Sequence, residues 1–144
     1  MSRHPDETAR LAAAAMWADD RASPALGMEI VSVTAGRATL AMRVTESMVN
    51  GLGICHGGLV FSLADSACAF ASNSRNRHMV LQSGQITLLA PARIGMRLIA
   101  EASERYRSDR TGLYDVSVRA EGGEVIAEFR GLVRSLPGTH VPEA

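Results

Sequence analysis

Hydrophobic and polar positions along the chain change period three times. Residues 6–22, DETARLAAAAMWADDRA, put Leu11, Ala14, Ala15 and Ala18 on one side of a helix, and the alanines favour that state. Ser23-Pro24 is expected to end it, because the residue before a proline is pushed out of the helical region. From Met28 the period becomes two. Met28, Ile30 and Val33 lead through Gly36 to Ala38, Leu40, Met42 and Val44, which alternate with Arg37, Thr39 and Arg43. Strands are predicted near 28–34 and 37–45. A Gly-rich stretch, Asn50 to Gly58, then opens the longest helical run, 58–74. Period two returns in four candidate strands near 80–90, 95–107, 111–121 and 124–135. Pro91 and Gly95 punctuate the first pair, and Gly122-Gly123 marks a hairpin. The terminal residues 137–144, PGTHVPEA, have the composition of a flexible tail.

Helix, two strands, long helix, four strands is not a regular βα alternation. The order predicts one α+β domain over 1–144, with residues 1–24 as an N-terminal helical segment. An antiparallel sheet of six strands would cover one face of the 58–74 helix. At 144 residues and 47% hydrophobic, the chain has enough apolar matter for one such core. Its 15 basic and 15 acidic residues cancel, which removes the electrostatic footprint of a nucleic-acid binder. Every basic residue is Arg, so chemistry that needs a lysine is excluded. The opening MSRHPDETARL carries acids where a signal peptide needs an apolar stretch, and the run Leu11 to Trp17 is far short of a membrane span. A cytoplasmic protein with no membrane partner is the expectation. Cys55 and Cys68 do not make a disulfide framework, and the four histidines stand singly, with no metal-ligand spacing. No metal site is expected.

The long helix carries the candidate chemistry. With Asp65 at zero and about 100 degrees per residue, Leu59, Val60, Leu63, Ala67, Phe70 and Ala71 form a wide apolar face for the sheet. The side around Asp65 holds Gly58, Phe61, Ser62, Cys68, Ala69 and Ser72, mostly small residues that admit a close neighbour such as a second copy of the helix. Asp65 is the one charged residue between Gly57 and Ser74. It is either a solvated outward carboxylate or a functional one. The His56-Gly57-Gly58 loop at the helix start favours the second, because the first N–H groups of a helix lie free at its positive end and suit an oxyanion. Gly57 and Asp65 are about 12 Å apart along one helix, whereas a base and an oxyanion donor must act within ~3 Å of one reacting group. Two antiparallel copies would bring Asp65 of one chain to Gly57 of the other.

Asn50-Gly51, Cys55-His56-Gly57-Gly58-Leu59-Val60-Phe61-Ser62-Leu63-Ala64-Asp65 and Ala71-Ser72-Asn73-Ser74 together resemble the hotdog-fold acyl-CoA thioesterases of the phenylacetate-degradation type. Ala25-Leu26-Gly27-Met28-Glu29-Ile30, Arg110-Thr111-Gly112-Leu113-Tyr114-Asp115-Val116 and Phe129-Arg130-Gly131 extend the likeness over nearly the whole chain. The resemblance implies a hotdog, a curved sheet wrapped round the central helix, in a homo-oligomer built as a dimer of dimers. It implies hydrolysis of coenzyme A thioesters of aromatic or medium-length acyl groups, without a cofactor. Asp65 would be the base that activates water or the nucleophile that forms an anhydride. The Gly57 N–H, with Gly58, would polarise the carbonyl. His56 would stand near the sulfur or fix the loop, and Asn50 would hold the loop or the water. Phe61, Ser83 and Gln82 would line the substrate pocket. Cys55 as a nucleophile and Arg105, Arg107 and Arg110 as phosphate ligands are lesser candidates. The rival from another class is a non-hydrolytic binding module on the same fold.

Overall fold

The computed structural model describes residues 2–144. Helix α1 spans Pro5–Asp19, and a short turn of helix, α2, spans Ala22–Ala25. Strands β1 (Glu29–Thr34) and β2 (Arg37–Arg43) form a hairpin, and α3 covers Gly57–Ser72. Strands β3 (His78–Leu88), β4 (Arg97–Arg107), β5 (Thr111–Ala120) and β6 (Val125–Leu136) complete the chain. All six strands pair antiparallel in the order β1-β2-β4-β5-β6-β3, which leaves β1 and β3 as free edges.

Helix α3 lies on one face of this sheet. Of the apolar stripe, Val60, Leu63, Ala67, Phe70 and Ala71 are buried, and Leu59 is half-buried against the core. Beneath them, alternate residues of β5 (Gly112, Tyr114, Val116, Val118) are buried and the residues between are half-buried. Register shifts in β1–β2, β3–β6, β4–β5 and β5–β6 break the flat ladder and bend the sheet round the helix.

That curvature corrects two placements. Cys68 and Ser72, expected on the open face beside Asp65, are buried. Gly131 of β6 comes up beneath Cys68, and a β-carbon on Gly131 would lie 3.1 Å from the Cys68 Sγ. The open strip of α3 therefore narrows to Gly58, Phe61, Ser62, Asp65 and Ala69. The same crowding predicts the effect of Gly131→Ala. The added methyl would also meet Phe129 at 2.9 Å and Leu81 at 3.0 Å. Overpacking of this kind costs about 1–3 kcal/mol, to be read as a lower urea midpoint at unchanged slope.

The first helix is also shorter than its pattern. It stops at Asp19, and Ser23-Pro24 belongs to α2. The Asp20 carboxylate explains the restart, accepting from the Ser23 N–H at 3.0 Å and the Ser23 hydroxyl at 2.7 Å. Ser23 Oγ in turn lies 2.9 Å from Ser66 Oγ, which pins α2 beside Asp65. At the other terminus the tail is tied down. The Asn76 side chain donates to the Val141 carbonyl at 2.9 Å and accepts from the His140 and Val141 amides, while the His140 ring lies 2.7 Å from Asn73 Oδ1.

Candidate active site

Asn50 shapes the loop that leads into α3. Its Oδ1 accepts from the Leu52 and Ile54 amides at 2.9 and 3.1 Å, and its own N–H donates to the Ile54 carbonyl at 2.8 Å. Gly53 closes the turn with φ at +75°, a conformation that glycine adopts without strain. The strand-like pair on either side fixes the exit. The Cys55 amide donates to the Ala92 carbonyl at 2.7 Å and the His56 amide to the Met48 carbonyl at 2.8 Å. Asn50 is thus a loop-holding residue through its Oδ1.

His56 is the N-cap of α3, and its carbonyl takes the Leu59 and Val60 amides at 2.9 and 3.3 Å. Its side chain caps nothing. Helix α1 makes the contrast, because there the His4 ring accepts from the Asp6 amide at 3.1 Å. No Ser, Thr or Asp stands at the α3 cap to take the remaining donors. The Gly57 and Gly58 amides therefore have no hydrogen-bond partner among the described residues, at the positive end of a sixteen-residue helix. Gly58 is exposed and Gly57 half-buried. A side chain at 57 is accommodated only if Leu88 gives way, since its β-carbon would lie 2.6 Å from Cδ1 of Leu88.

Asp65 sits two turns further along α3, half-buried, with no hydrogen bond to another described residue and its carboxyl oxygens open to solvent. Burial pushes its carboxyl above the usual carboxylate range. A carboxylate held in this way is a better proton acceptor near neutrality. The chain alone does not bring Asp65 to the glycine amides, because the helix between them is continuous. Phe61 leans on the sheet, its ring edge-on to Phe129 at 5.3 Å. Gln82 occupies the bulge of β3 and Ser83 pairs with Leu132 just beyond it, both exposed on the sheet's free-edge strand.

Most of the lesser candidates are engaged elsewhere, Arg110 excepted, whose side chain makes no ion pair among the described residues. Cys68 is buried, and its thiol is pushed up to about 12 by burial and by the neighbouring Asp65. The Cys55 thiol is also raised by burial and points its hydrogen at the His56 carbonyl. Arg105 pairs with Asp115 at 2.7 Å, and Arg107 lies 3.7 Å from Glu104. Among the described residues no group of three His, Cys, Asp or Glu side chains could hold a metal ion. Among the described residues no helix is long and apolar enough to cross a membrane.

A family model described as the Thioesterase superfamily matches residues 52–127, the span that contains the end of the loop, α3 and strands β3 to β5. The chain belongs to this family. The acyl-coenzyme A thioesterase PaaI of Escherichia coli K12 is 39% identical to this thioesterase over 90% of the chain and 93% of its own length. The E. coli PaaI structure superposes with a TM-score of 0.93 at 38% identity, covering 94% of this chain and 99% of that one. A mutant of the phenylacetic acid degradation protein PaaI from Thermus thermophilus superposes with a TM-score of 0.77 at 37% identity, covering 81% of this chain and 100% of that one. These likenesses make the thioesterase a hotdog enzyme of the PaaI type. What sequence reading misses is Leu88, whose contact with Gly57 joins two positions far apart in the chain. The apolar run Leu88-Leu89-Ala90-Pro91-Ala92 is the available signal.

Proposed function

We propose that this thioesterase hydrolyses coenzyme A thioesters of aromatic or medium-length acyl groups, at sites shared between two copies of the chain. The observation that carries the proposal is the pair of unpartnered amides at Gly57 and Gly58 on the same helix as the raised carboxyl of Asp65. The likeness to E. coli PaaI, which is named an acyl-coenzyme A thioesterase, supports the substrate class. The phenylacetic acid degradation in the names of the solved relatives supports an aromatic acyl group.

In this reading the substrate carbonyl oxygen rests on the Gly57 N–H, with Gly58 beside it. A water attacks the carbonyl carbon and gives a proton to Asp65 of the partner copy. Negative charge grows on the oxygen, where the two amides and the helix end meet it without reorganising. The C–S bond then breaks, and the leaving thiolate takes the proton back from Asp65. In the alternative, the carboxylate itself attacks the carbonyl carbon, the C–S bond breaks to give an anhydride and free thiolate, and water then hydrolyses the anhydride to the acid and restores Asp65. His56 flanks the sulfur, and Ser83 and Gln82 border the pocket from the edge strand. The free edge of β3 is where two sheets would join; an unpaired edge is otherwise an aggregation hazard. Two such dimers would complete a tetramer.

The test is a panel of aromatic and aliphatic acyl-CoAs with released thiol measured. Binding without thiol release would favour a non-hydrolytic module instead.

The acid limb of the reaction follows from Asp65. It must be ionised to accept a proton, and its folded value lies above the ordinary 3.8. Activity is therefore expected to rise with pH through a midpoint above 3.8, as a pH profile of kcat/KM will show. Stability runs the other way. Between the unfolded and the raised folded value the native state holds more protons, so increasing pH in that window lowers stability.

A further inference from the structure

Beside Gly57 lies a groove of about 220 Å³ that the reaction scheme above does not use. Ile54, Val60, Leu89 and Ile126 supply its walls, Cys55 its one heteroatom-bearing side chain, and no charged residue lines it. Leu88 forms the side nearest the helix start. We infer that this groove receives the acyl tail of the thioester, and that Leu88 determines which tail fits. The inference rests on the thioesterase chemistry proposed above and names the substrate determinant of that site.

Three observations converge. First, Gly84, Ile86 and Leu88 share one face of β3, with Gly84 packed against Phe61 and Phe129, so Leu88 points to the α3 side of the sheet. Its Cδ1 fills the space that a side chain at 57 would need, which puts Leu88 in contact with the residue that donates to the carbonyl oxygen. An acyl chain whose carbonyl sits on that amide runs past Leu88 to enter the groove. Second, the groove is apolar in a region with an excess of uncovered apolar side chains. Leu88, Leu89 and Ile94 are 52%, 58% and 52% exposed at this one corner, and clustered exposure of this kind marks a ligand surface. Third, the size fits. Apolar cavities of about 150 Å³ take up benzene, so 220 Å³ accepts a phenyl ring or a short alkyl chain.

The experiment compares Leu88→Ala, which empties the wall, with Leu88→Phe, which fills it. Leu88 is half exposed, and both variants are expected to melt close to the parent. Thiol release is measured with acetyl-, hexanoyl-, octanoyl- and phenylacetyl-CoA. Each methylene newly buried contributes about fourfold. The octanoyl-to-hexanoyl ratio of kcat/KM should therefore rise about fifteenfold in Leu88→Ala and fall below the parent's in Leu88→Phe. Equal changes across the panel in both variants overturn the inference while the thioesterase function stands, because the groove would then serve the part of the substrate common to all four. A parent enzyme that releases no thiol from any of the four overturns the function and this inference together.

Discussion

Replacing Asp65 with Asn is expected to lower kcat for thioester hydrolysis by about 10²- to 10⁴-fold without weakening the fold. The amide has the shape of the carboxylate, so the packing of α3 beside Ser66 and Cys68 is kept. What is lost is the anionic, basic oxygen that takes the proton from water, or that attacks the carbonyl. Stability supplies the control. The raised carboxyl means that the folded chain carries an unfavourable charge at neutral pH, with burial as the cause. Removing that charge relieves the cost, so the variant's urea midpoint at neutral pH should equal or exceed the parent's. Low activity at undiminished stability separates a chemical role from a structural one, and such trade-offs are usual where a site stores an unfavourable charge. Turnover retained in Asp65→Asn would remove the carboxyl from the reaction.

Much of the scaffold is legible in the sequence because its signals are local. The period-two run Gly112, Tyr114, Val116, Val118 is the buried face of β5. The helix read as 58–74 spans Gly57–Ser72, and the six strands fall within a few residues of their predicted bounds. The chemistry of the helix start is legible for the same reason, since His-Gly-Gly is a cap that leaves amides free. The misplaced residues share another cause, which is that a single-helix wheel carries no information about how far the sheet curls. Cys68 and Ser72 are covered because bulged strands bring β6 round the helix. The tail has a loose composition because its anchors, Asn73 and Asn76, lie more than sixty residues away. Leu88 against Gly57 is likewise a through-space contact with no sequence period. Arg105 reads as a free charge until the β4–β5 pairing sets it beside Asp115, a carboxylate it shares with Arg130.

The oxyanion half of the site is tested by Gly57→Pro. Proline has no N–H, and the first position of a helix is where it costs least. His56 already has the extended conformation that a residue before proline requires, with φ at −55° and ψ at 131°. The end of Leu88 is flexible and can yield to the ring. The helix should therefore persist while the donor disappears, and loss of one such donor costs about 10²- to 10³-fold in kcat. Gly57→Ala keeps the N–H and reports the displacement of Leu88 alone, so it should fall well short of that loss. The pair also tests where the two halves of the site meet. If each site takes Asp65 from one copy and Gly57 from the other, a mixed dimer of Asp65→Asn and Gly57→Pro chains has one doubly damaged site and one intact site. Equal mixing by co-expression or co-refolding makes half the dimers mixed, which restores about a quarter of the parent activity under random pairing. Sites contained within single chains would give no recovery at all, since every chain in the mixture carries one lesion.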